Sequence, residues 1–494
     1  MKTRSKNISV LFRDGISQSH IKGVNRLQAF ENHLFSAGRD GIVRQYDLNT
    51  LEIEHAYDRH IHWVSDIQID ATLGLLFSSS YDSTIAIWSL QSSEFATDPI
   101  RIIENHKDYI QTLKYIPSQR ILYSGGQDYT LIRWEISNLD QIRSIKVLNT
   151  NGNSIWCIDA DETGELIGMT FSNNTPKIMD TRGAKNFIDL KGHTDHARKI
   201  IISPDGRNCL TAGADKTIKL WDIGTHKVIE SFHIHSDSVN ALKMDWNTGT
   251  IFSGDRHGDV FKTEIISKTS EKVIENEFPV LDVLGINSDI WISDTNGDIK
   301  TIQSAETKTI KSLPHINKFE VCDNKKWIIT KNSEGTVQTW NILTGESEKT
   351  ENTFEEAVTA KNSGKATPSW FSVKIHLGSL MLEFSHSDSH MAEEDYNGKL
   401  INYGSVFMKR VFHHWLLKEE QKYREANPNA PQRISILNEG TSEIEKYVLI
   451  LIQIAENIIE SIYRCPINRL DTDENLPDIP MWVQRLIFSS KYKH

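Results

Sequence analysis

The sequence predicts a mainly β protein, in which a β-propeller is followed by a C-terminal α+β domain. Three observations support this prediction. The first 350 residues repeat with a period of about 40 to 46 residues, the length of one four-stranded propeller blade. Within each repeat, apolar and polar residues alternate as in β-strands, and polar turn residues separate the runs. The 494 residues also exceed what one compact core usually contains, so a second domain is expected.

The strongest copies of the repeat share four residue types at fixed offsets. A His is followed 18 residues later by Ser or Thr, then 4 residues later by Asp, and 6 residues after that by Trp. One copy, which shortens the first interval and ends in Tyr, consists of His20, Ser36, Asp40 and Tyr46. The three full copies are His60, Ser78, Asp82 and Trp88; His106, Ser124, Asp128 and Trp134; and His193, Thr211, Asp215 and Trp221.

These residues resemble the Asp-His-Ser/Thr-Trp tetrad of WD-repeat proteins. The resemblance implies that Asp holds His, that His bonds the hydroxyl, and that the hydroxyl reaches the Trp N–H, so that a buried polar chain crosses each blade. Asp, His and Ser also form hydrolase triads, but a catalytic centre would occur once rather than once per blade. We therefore interpret the tetrads as architecture.

Four further copies are degenerate. The copy at 152–180 has Met179 in place of the aromatic residue, and the copy at 235–261 has His257 where the turn Asp is expected. Segments 278–302 and 319–340 resemble two more blades. The count is about eight blades, with seven as the alternative. The strand-like segment 7–12 belongs to no blade, and we expect it to close the last blade, so that the propeller spans 1–350.

The region 351–494 lacks the repeat and is expected to form the α+β domain. Residues 353–368 are typical of a linker, and 370–384 alternates in two runs separated by Gly378, as a hairpin would. Helical spacing predicts amphipathic helices near 404–425 and 441–463.

Composition excludes several classes of function. The formal net charge of −11 argues against nucleic-acid binding by bulk charge. No apolar run approaches the length of a membrane span, and a cytoplasmic or nuclear location is expected. Four widely spaced cysteines fit buried free thiols better than disulfides or zinc. No catalytic motif or metal-ligand set is present, so neither an enzyme nor a cofactor is predicted.

Several phrases resemble the WD repeat-containing protein 48 family. They are GVNRLQ with LFSAGRDGIVR at 23–44, HKDYIQTLKY at 106–115, LKGHTDHARKI at 190–200 and PSWFSVKIHLGSLMLEF at 368–384. The last phrase lies outside the repeats and separates this family from other WD-repeat proteins. The resemblance implies a non-catalytic scaffold that binds and activates a ubiquitin-specific protease. A ubiquitin-like domain closes the chain in that family, and we expect it to be absent here.

The same resemblance assigns partner-binding residues. Arg198 and Arg256 fall at positions of the family's protease-binding face, where a guanidinium suits partner carboxylates. Asn240 falls where the family has an aromatic anchor, so a hot spot of binding is lost or lies elsewhere. The alternative interpretation is a substrate receptor of a cullin-type ubiquitin ligase, because the sequence 179–182 (MDTR) resembles the WD-x-R turn of such receptors without its Trp. A generic WD-repeat protein-interaction scaffold is a further alternative, and other WD-repeat or ubiquitin-pathway proteins are further candidate partners.

Overall fold

The computed structural model describes residues 7–13, 19–91, 96–183, 186–286, 289–303, 306–342, 347–362, 366–385, 393–396, 399–404, 407–408, 447–455, 458–466 and 483. The chain divides into two compact units. One unit is Ile16–Leu313, and the other combines Met1–Gly15 with Pro314–His494. The first strand, β1 (Asn7–Arg13), therefore belongs with the C-terminal part of the chain. The expected domain boundary near residue 350 does not coincide with this division.

The unit Ile16–Leu313 consists, over its described residues, of seven antiparallel sheets, which we number blades 1 to 7 in chain order. In each blade the first strand is innermost, and short turns connect it to three strands farther out. Between the third and the outer strand of blade 2, a two-residue strand pairs in parallel with the outer strand of blade 1.

Blade 1 consists of β2 (Val24–Phe30), β3 (His33–Gly38), β4 (Ile42–Asp47) and β5 (Ile53–Asp58). Blade 2 consists of β6 (Val64–Asp70), β7 (Leu75–Ser80), β8 (Thr84–Ser89) and β10 (Arg101–Glu104), and the short β9 (Ala96–Thr97) is the strand added to blade 1. Blade 3 consists of β11 (Ile110–Ile116), β12 (Ile121–Gly126), β13 (Thr130–Glu135) and β14 (Arg143–Asn149). A 3-10 turn, Leu139–Gln141, precedes β14.

Blades 4 to 7 follow the same plan. Blade 4 consists of β15 (Ile155–Ala160), β16 (Leu166–Phe171), β17 (Lys177–Asp180) and β18 (Asn186–Asp189), and blade 5 of β19 (Ala197–Ile202), β20 (Asn208–Gly213), β21 (Ile218–Asp222) and β22 (Lys227–Phe232). Blade 6 consists of β23 (Val239–Asp245), β24 (Thr250–Asp255), β25 (Asp259–Glu264) and β26 (Thr269–Glu275), and blade 7 of β27 (Val280–Ile286), β28 (Asp289–Asp294), β29 (Ile299–Gln303) and β30 (Glu306–Ile310).

The ring closes after seven blades. The innermost strands of successive blades contact one another, and β27 of blade 7 contacts β2 of blade 1. The β-propeller fold is thus confirmed, but the expected ring of eight blades is wrong, and the alternative count of seven is the observed one. An eighth four-stranded sheet does form where the repeat predicts it, but it groups with the C-terminal unit. Repeat counting misses this difference because a blade has the same local pattern inside or outside the ring.

The eighth sheet consists of β31 (Ile316–Val321), β32 (Trp327–Asn332), β33 (Val337–Asn341) and β34 (Ser347–Thr350). It is followed by α1 (Phe354–Lys361), which packs on the sheet through Phe354, Ala357 and Val358. The prediction of a linker over 353–368 is therefore wrong at this helix. The N-cap Thr353 and Glu356 form a capping box, in which the Glu356 N–H donates to the Thr353 hydroxyl and the Thr353 N–H donates to the Glu356 carboxylate.

The expectation that the N-terminal strand closes the last blade is wrong, because β1 pairs with two strands of the C-terminal part of the chain. The register of β1 pairs Ile8 with Phe384 on one side and Ile8 with Ile452 on the other. It lies in a five-stranded sheet with β35 (Ser372–His376), β36 (Ser379–Phe384), β39 (Tyr447–Ala455) and β40 (Ile458–Pro466). Blade 7 has its own outer strand, β30, so the ring needs no strand from the N-terminus.

The C-terminal hairpin forms as predicted. Leu377 and Gly378 connect β35 and β36, and both have positive φ (54° and 86°), as a two-residue type I′ turn requires. A small hairpin of β37 (Glu393–Tyr396) and β38 (Lys399–Asn402) follows. Ile8, Val10, Trp370 and other apolar residues of this unit form its core.

The helix predicted over 441–463 is wrong where the structure describes it, because β39 and β40 occupy 447–455 and 458–466. The run from Val448 to Ile452 is continuously apolar, and such a run fits a buried strand as well as a helix. The many Ile and Val residues favour the strand. Of the helix expected near 404–425, residues 404, 407 and 408 are helical, and the remainder lies outside the described residues. Cys157, Cys209 and Cys322 are buried free thiols, as expected.

A one-residue β-bulge recurs in the innermost strand of every blade of the ring. In blade 5 it falls between Ala197 and Lys199, and in blade 6 between Val239 and Ala241. Because a bulge redirects the side chain of its extra residue, each blade presents one residue at the same end of the ring. These bulge residues are Asn25, Ser65, Gln111, Trp156, Arg198, Asn240 and Leu281.

Candidate protein-interaction surface

The three full tetrads assemble as connected hydrogen-bond networks, beginning with blade 2. His60 Nδ1 lies 3.0 Å from Asp82, and His60 Nε2 lies 2.8 Å from the Ser78 hydroxyl. The Trp88 indole N–H donates to the same hydroxyl at 2.8 Å. The four side chains thus form one continuous chain of polar contacts from the turn to the third strand of the blade.

Blade 3 has the same network. His106 Nδ1 lies 2.9 Å from Asp128, and His106 Nε2 lies 2.7 Å from the Ser124 hydroxyl. The indole N–H of Trp134 donates to that hydroxyl at 2.8 Å. Trp134 is also part of the apolar core between blades 2 and 3, so its ring packs while its N–H is satisfied.

In blade 5 a Thr replaces the Ser without changing the connections. His193 Nδ1 lies 2.8 Å from Asp215, and His193 Nε2 lies 2.6 Å from the Thr211 hydroxyl. The indole N–H of Trp221 donates to the Thr211 hydroxyl at 2.8 Å. Trp221 is fully buried, and its ring centroid lies 6.3 Å from that of His193. The tryptophans of the three tetrads therefore have one role, which is to donate to the hydroxyl and fill the core.

The tetrads are built for stability and not for catalysis. Ser78, Ser124 and Thr211 are fully buried, and each hydroxyl is already occupied by a Trp and a His, so no substrate reaches the oxygen. Burial alone would raise the pKa of Asp82. The charge of His60 and its hydrogen bond outweigh burial and hold that pKa at about 2. Each Asp also accepts a backbone N–H from the residue after its His, so the network ties the turn to the preceding loop.

Blade 1 carries a modified network. His20 contacts Ser36 at 2.7 Å and Asp40 at 3.0 Å, as in the other blades. Arg44 is completely buried beside them and donates to Asp40 at 2.8 Å. Burial lowers the pKa of His20, and burial together with the Arg44 charge outweighs the opposing effect of Asp40. In the full tetrads a Thr two residues after the Asp donates to its carboxylate (Thr84, Thr130 and Thr217), whereas in blade 1 the Arg44 guanidinium is a donor to Asp40.

Blade 6 retains a network that the sequence pattern missed. His235 Nδ1 lies 3.0 Å from Asp255, and His235 Nε2 lies 2.8 Å from Ser253. The expectation that His257 replaces the turn Asp is wrong, since the His257 side chain is 61% exposed and Asp255 performs that role. Asp255 follows Ser253 by two residues instead of four, so a search at fixed offsets does not find it.

The three residues assigned to partner binding lie at one end of blades 5 and 6. Arg198 and Asn240 are the bulge residues of β19 and β23, so they are equivalent positions in adjacent blades. Arg256 is exposed in the turn after β24, where its backbone N–H donates to the Ser238 carbonyl at 2.9 Å. The Arg198 guanidinium lies over the indole ring of Trp156, 5.8 Å from its centroid. No hydrogen bond or ion pair joins the side chains of Arg198, Asn240 and Arg256, all of which are described.

An aromatic cluster at the same end of blades 1 to 3 was not found from the sequence. Tyr81 and Tyr109 stack with centroids 4.7 Å apart and planes 3° apart, and His62 packs against both. Trp63 packs on Tyr81 at 5.5 Å, and the Arg39 guanidinium lies over Trp63 at 4.5 Å. These residues come from separate loops, and only the assembly of the ring brings them together. We call this set of five residues the aromatic cluster.

The end of the ring that carries the bulge residues therefore has two arginines, each stacked on a tryptophan from a neighbouring blade. Arg39 of blade 1 covers Trp63, and Arg198 of blade 5 covers Trp156. Trp, Tyr and Arg are the residue types most enriched at the energetic centres of protein interfaces. The arrangement can bind a protein surface through stacking and charge.

One group of potential metal ligands is already engaged in ion pairs. Among the residues described, His257, Asp259 and Glu275 are the one group of potential ligands close enough to share an ion. Lys272 Nζ lies 2.8 Å from a carboxylate oxygen of both Asp259 and Glu275. The Lys272 ammonium group thus already pairs with both carboxylates and would repel a cation placed between them.

A closed ring of four-stranded blades carrying repeated Asp-His-Ser/Thr-Trp networks defines a β-propeller of the WD type, a fold that typically serves as a non-catalytic scaffold. The WD40 family, described as WD domain, G-beta repeat, matches residues 52–89, 97–135 and 185–222. These segments contain the three full tetrads. The chain is therefore a WD-repeat protein, and proteins with this domain mediate protein–protein interactions. None of the helices in the described parts of the chain is long and apolar enough to cross a membrane.

Proposed function

We propose that this WD-repeat protein is a non-catalytic scaffold that binds and activates a ubiquitin-specific protease. The observation that supports this proposal most directly is the position of Arg198 and Arg256 at one end of adjacent blades. These are the positions to which the family resemblance assigns protease binding. Arg256 is exposed, and Arg198 is held in orientation by Trp156, so both guanidinium groups suit carboxylates on a partner.

The hairpin β35–β36 provides separate support. Its sequence carries the part of the resemblance that lies outside the repeats, and it forms the hairpin that the alternation of residues 370–384 predicts. In this proposal the scaffold contributes no catalytic group. It activates the protease by binding the active conformation more tightly than the inactive one, which shifts the conformational equilibrium towards activity.

Reconstitution with purified proteins tests the proposal. The full chain is mixed with individual ubiquitin-specific proteases, and hydrolysis of a fluorogenic ubiquitin substrate is measured alongside direct binding. We expect at least one protease to bind and to show a higher kcat. The double variant with Arg198→Ala and Arg256→Ala should weaken this binding by roughly tenfold or more, as for the loss of interfacial arginines.

The matched control is Arg207→Ala. Arg207 lies in the same unit, is 84% exposed and has only a loose contact with Asp205 at 3.7 Å. Arg207→Ala removes one positive charge, as each of the two substitutions in the test variant does, and should leave protease binding unaltered. If no protease binds, or if a bound protease hydrolyses ubiquitin at its unassisted rate, the proposed function is wrong.

The alternative role as a ligase substrate receptor has less support. Its key residue, Arg182, donates to Asp180 at 2.8 Å and 3.0 Å and to Glu165 at 2.9 Å. The guanidinium is thus engaged within its own blade and must give up these bonds to dock an adaptor. Binding of a cullin adaptor that is lost in Arg182→Ala would favour this role instead.

A further inference from the structure

The aromatic cluster contains one cation, Arg39, and lies beside a second, Lys22, and neither has an anionic partner among the described residues. Arg39 is fixed by its stacking on Trp63 and by a hydrogen bond from its Nε to Asn25 Oδ1 at 2.8 Å. Lys22 lies close enough to Arg39 that their like charges interact. Neither side chain forms an ion pair with any part of the chain that the structure describes. The guanidinium NH2 groups of Arg39 therefore remain available to an anion from outside.

The environment of these cations indicates that an anion would be bound favourably. Burial lowers the pKa of Lys22, and the neighbouring charge of Arg39 lowers it further. Burial likewise lowers the pKa of Arg39. A partly desolvated pair of like charges is stabilised when an opposite charge approaches, and an arginine held by stacking loses little entropy on binding a carboxylate.

The aromatic rings supply the second half of a recognition site. Tyr109 is 36% exposed, and Tyr81 is fixed behind it by stacking and by a hydrogen bond from its hydroxyl to Gln111 at 2.9 Å. Rigid aromatic faces offer a large contact area at low entropic cost. A carboxylate on Arg39 would place the next residues of an extended peptide over these rings.

We propose that the aromatic cluster with Lys22 is a docking site for an acidic segment of a partner protein, in which Asp or Glu lies next to an apolar side chain. Charge complementarity selects this occupant. The chain as a whole carries a net charge of −11, so an acidic segment is repelled elsewhere and attracted locally by the two unpaired cations. The proposal goes beyond protease activation, since it specifies a second site and does not depend on which partner supplies the segment.

Fluorescence anisotropy with three labelled peptides tests this site on the full chain. The first peptide alternates Glu with Leu and Phe, the second replaces each Glu by Gln, and the third keeps Glu but replaces Leu and Phe by Ser. We expect the first peptide to bind roughly tenfold or more tightly than either of the others. Binding should weaken with rising salt, because salt screens the attraction between the acidic peptide and the two cations.

Two variants locate the binding. Arg39→Gln removes the charge, and Tyr109→Ser removes the exposed ring, and each should weaken the first peptide by roughly tenfold while leaving the melting temperature near that of the unaltered protein. Arg207→Gln, at the 84% exposed site described above, is the control of equal charge and should have no effect.

Equal binding of the Glu and Gln peptides, or binding that survives Arg39→Gln, overturns the proposal. Failure of the first peptide to bind overturns it as well. Concentration-dependent self-association that is abolished by Tyr109→Ser would assign the cluster to a second copy of the chain instead. The peptide results do not depend on whether a protease is activated, so the two proposals fail separately.

Discussion

The carboxylate of Asp282 accepts a hydrogen bond from the backbone N–H of Leu27 at 2.9 Å, although 255 residues separate them in the chain. Asp282 lies in the innermost strand of blade 7 and Leu27 in that of blade 1. Arg26 reinforces the junction, with its Nε 3.2 Å from Asp66 and its Nη1 3.6 Å from Asp282. Among the described residues no strand is exchanged between the first and last blades, so side-chain contacts of this kind, together with the apolar core that the two blades share, close the ring.

Removal of the Asp282 carboxylate should destabilise the propeller. Asp282→Ala leaves the Leu27 N–H without its acceptor and Arg26 without one of its two counter-charges, which should cost about 2 to 4 kcal/mol. Urea unfolding monitored by tryptophan fluorescence measures the loss. The control is Glu271→Ala on the exposed outer strand of blade 6, which should change stability little. Equal stability of the two variants would mean that closure rests on other contacts.

Asp215→Ala tests the tetrad of blade 5. His193 loses its hydrogen bond to Asp215 at 2.8 Å, and the Thr194 N–H loses its acceptor. The expected cost is about 1 to 3 kcal/mol, because buried polar groups are left without partners. Thermal unfolding compares this variant with Asp195→Ala, which removes an exposed carboxylate in the loop of His193, where it accepts a hydrogen bond from the adjacent His196 N–H, and should change the melting temperature little. An unchanged melting temperature for Asp215→Ala would contradict the role of the network.

Stability should fall at acidic pH because of the tetrad carboxylates. Burial opposes ionisation of Asp82 and Asp128, but their histidine partners hold both pKa values at about 2, below the unfolded value of 3.8. A carboxyl group whose pKa is lower in the folded than in the unfolded state stabilises the folded protein fully above pH 3.8. This stabilisation is lost as the pH falls towards 2. Asp82, which is the more deeply buried of the two, contributes about 2 kcal/mol at neutral pH, and Asp128 contributes less because solvent screens it more. Urea unfolding between pH 6 and pH 2 should show this decline, and Asp82→Ala should make it shallower. An identical slope in that variant would exclude Asp82 as a source.

Asn240→Trp should strengthen the proposed protease interaction. Asn240 is the bulge residue of blade 6, next to the blade that carries Arg198 with its stacked Trp156, and it stands where the resembled family has an aromatic anchor. A Trp at this position should tighten binding by roughly tenfold, as expected for an interfacial hot spot. Surface plasmon resonance measures the affinity, and Asn240→Ser serves as the polar control. If Trp and Ser have the same effect, this position does not contact the protease.

Most of the individual blades could be predicted from the sequence. Offsets such as those joining His60, Ser78, Asp82 and Trp88 lie within one repeat, so they survive in the linear pattern. The blade-6 network escaped prediction because Asp255 sits at a different offset. The aromatic cluster escaped it because its Trp and Tyr residues come from separate loops, and each alone is an ordinary surface aromatic.

The sequence by itself determined the propeller repeat, the tetrads of blades 2, 3 and 5, and the hairpin at 370–384, because hydrophobic alternation, turn residues and hydrogen-bonding partners are all local there. Only the tertiary structure decided the number of blades in the ring, the location of β1 and the strands at 447–466. Each of these depends on pairing between residues hundreds of positions apart, such as Asp282 with Leu27 or Ile8 with Phe384. The local sequence of a strand is the same whichever strand it pairs with. Long-range packing therefore selects the neighbours of each strand.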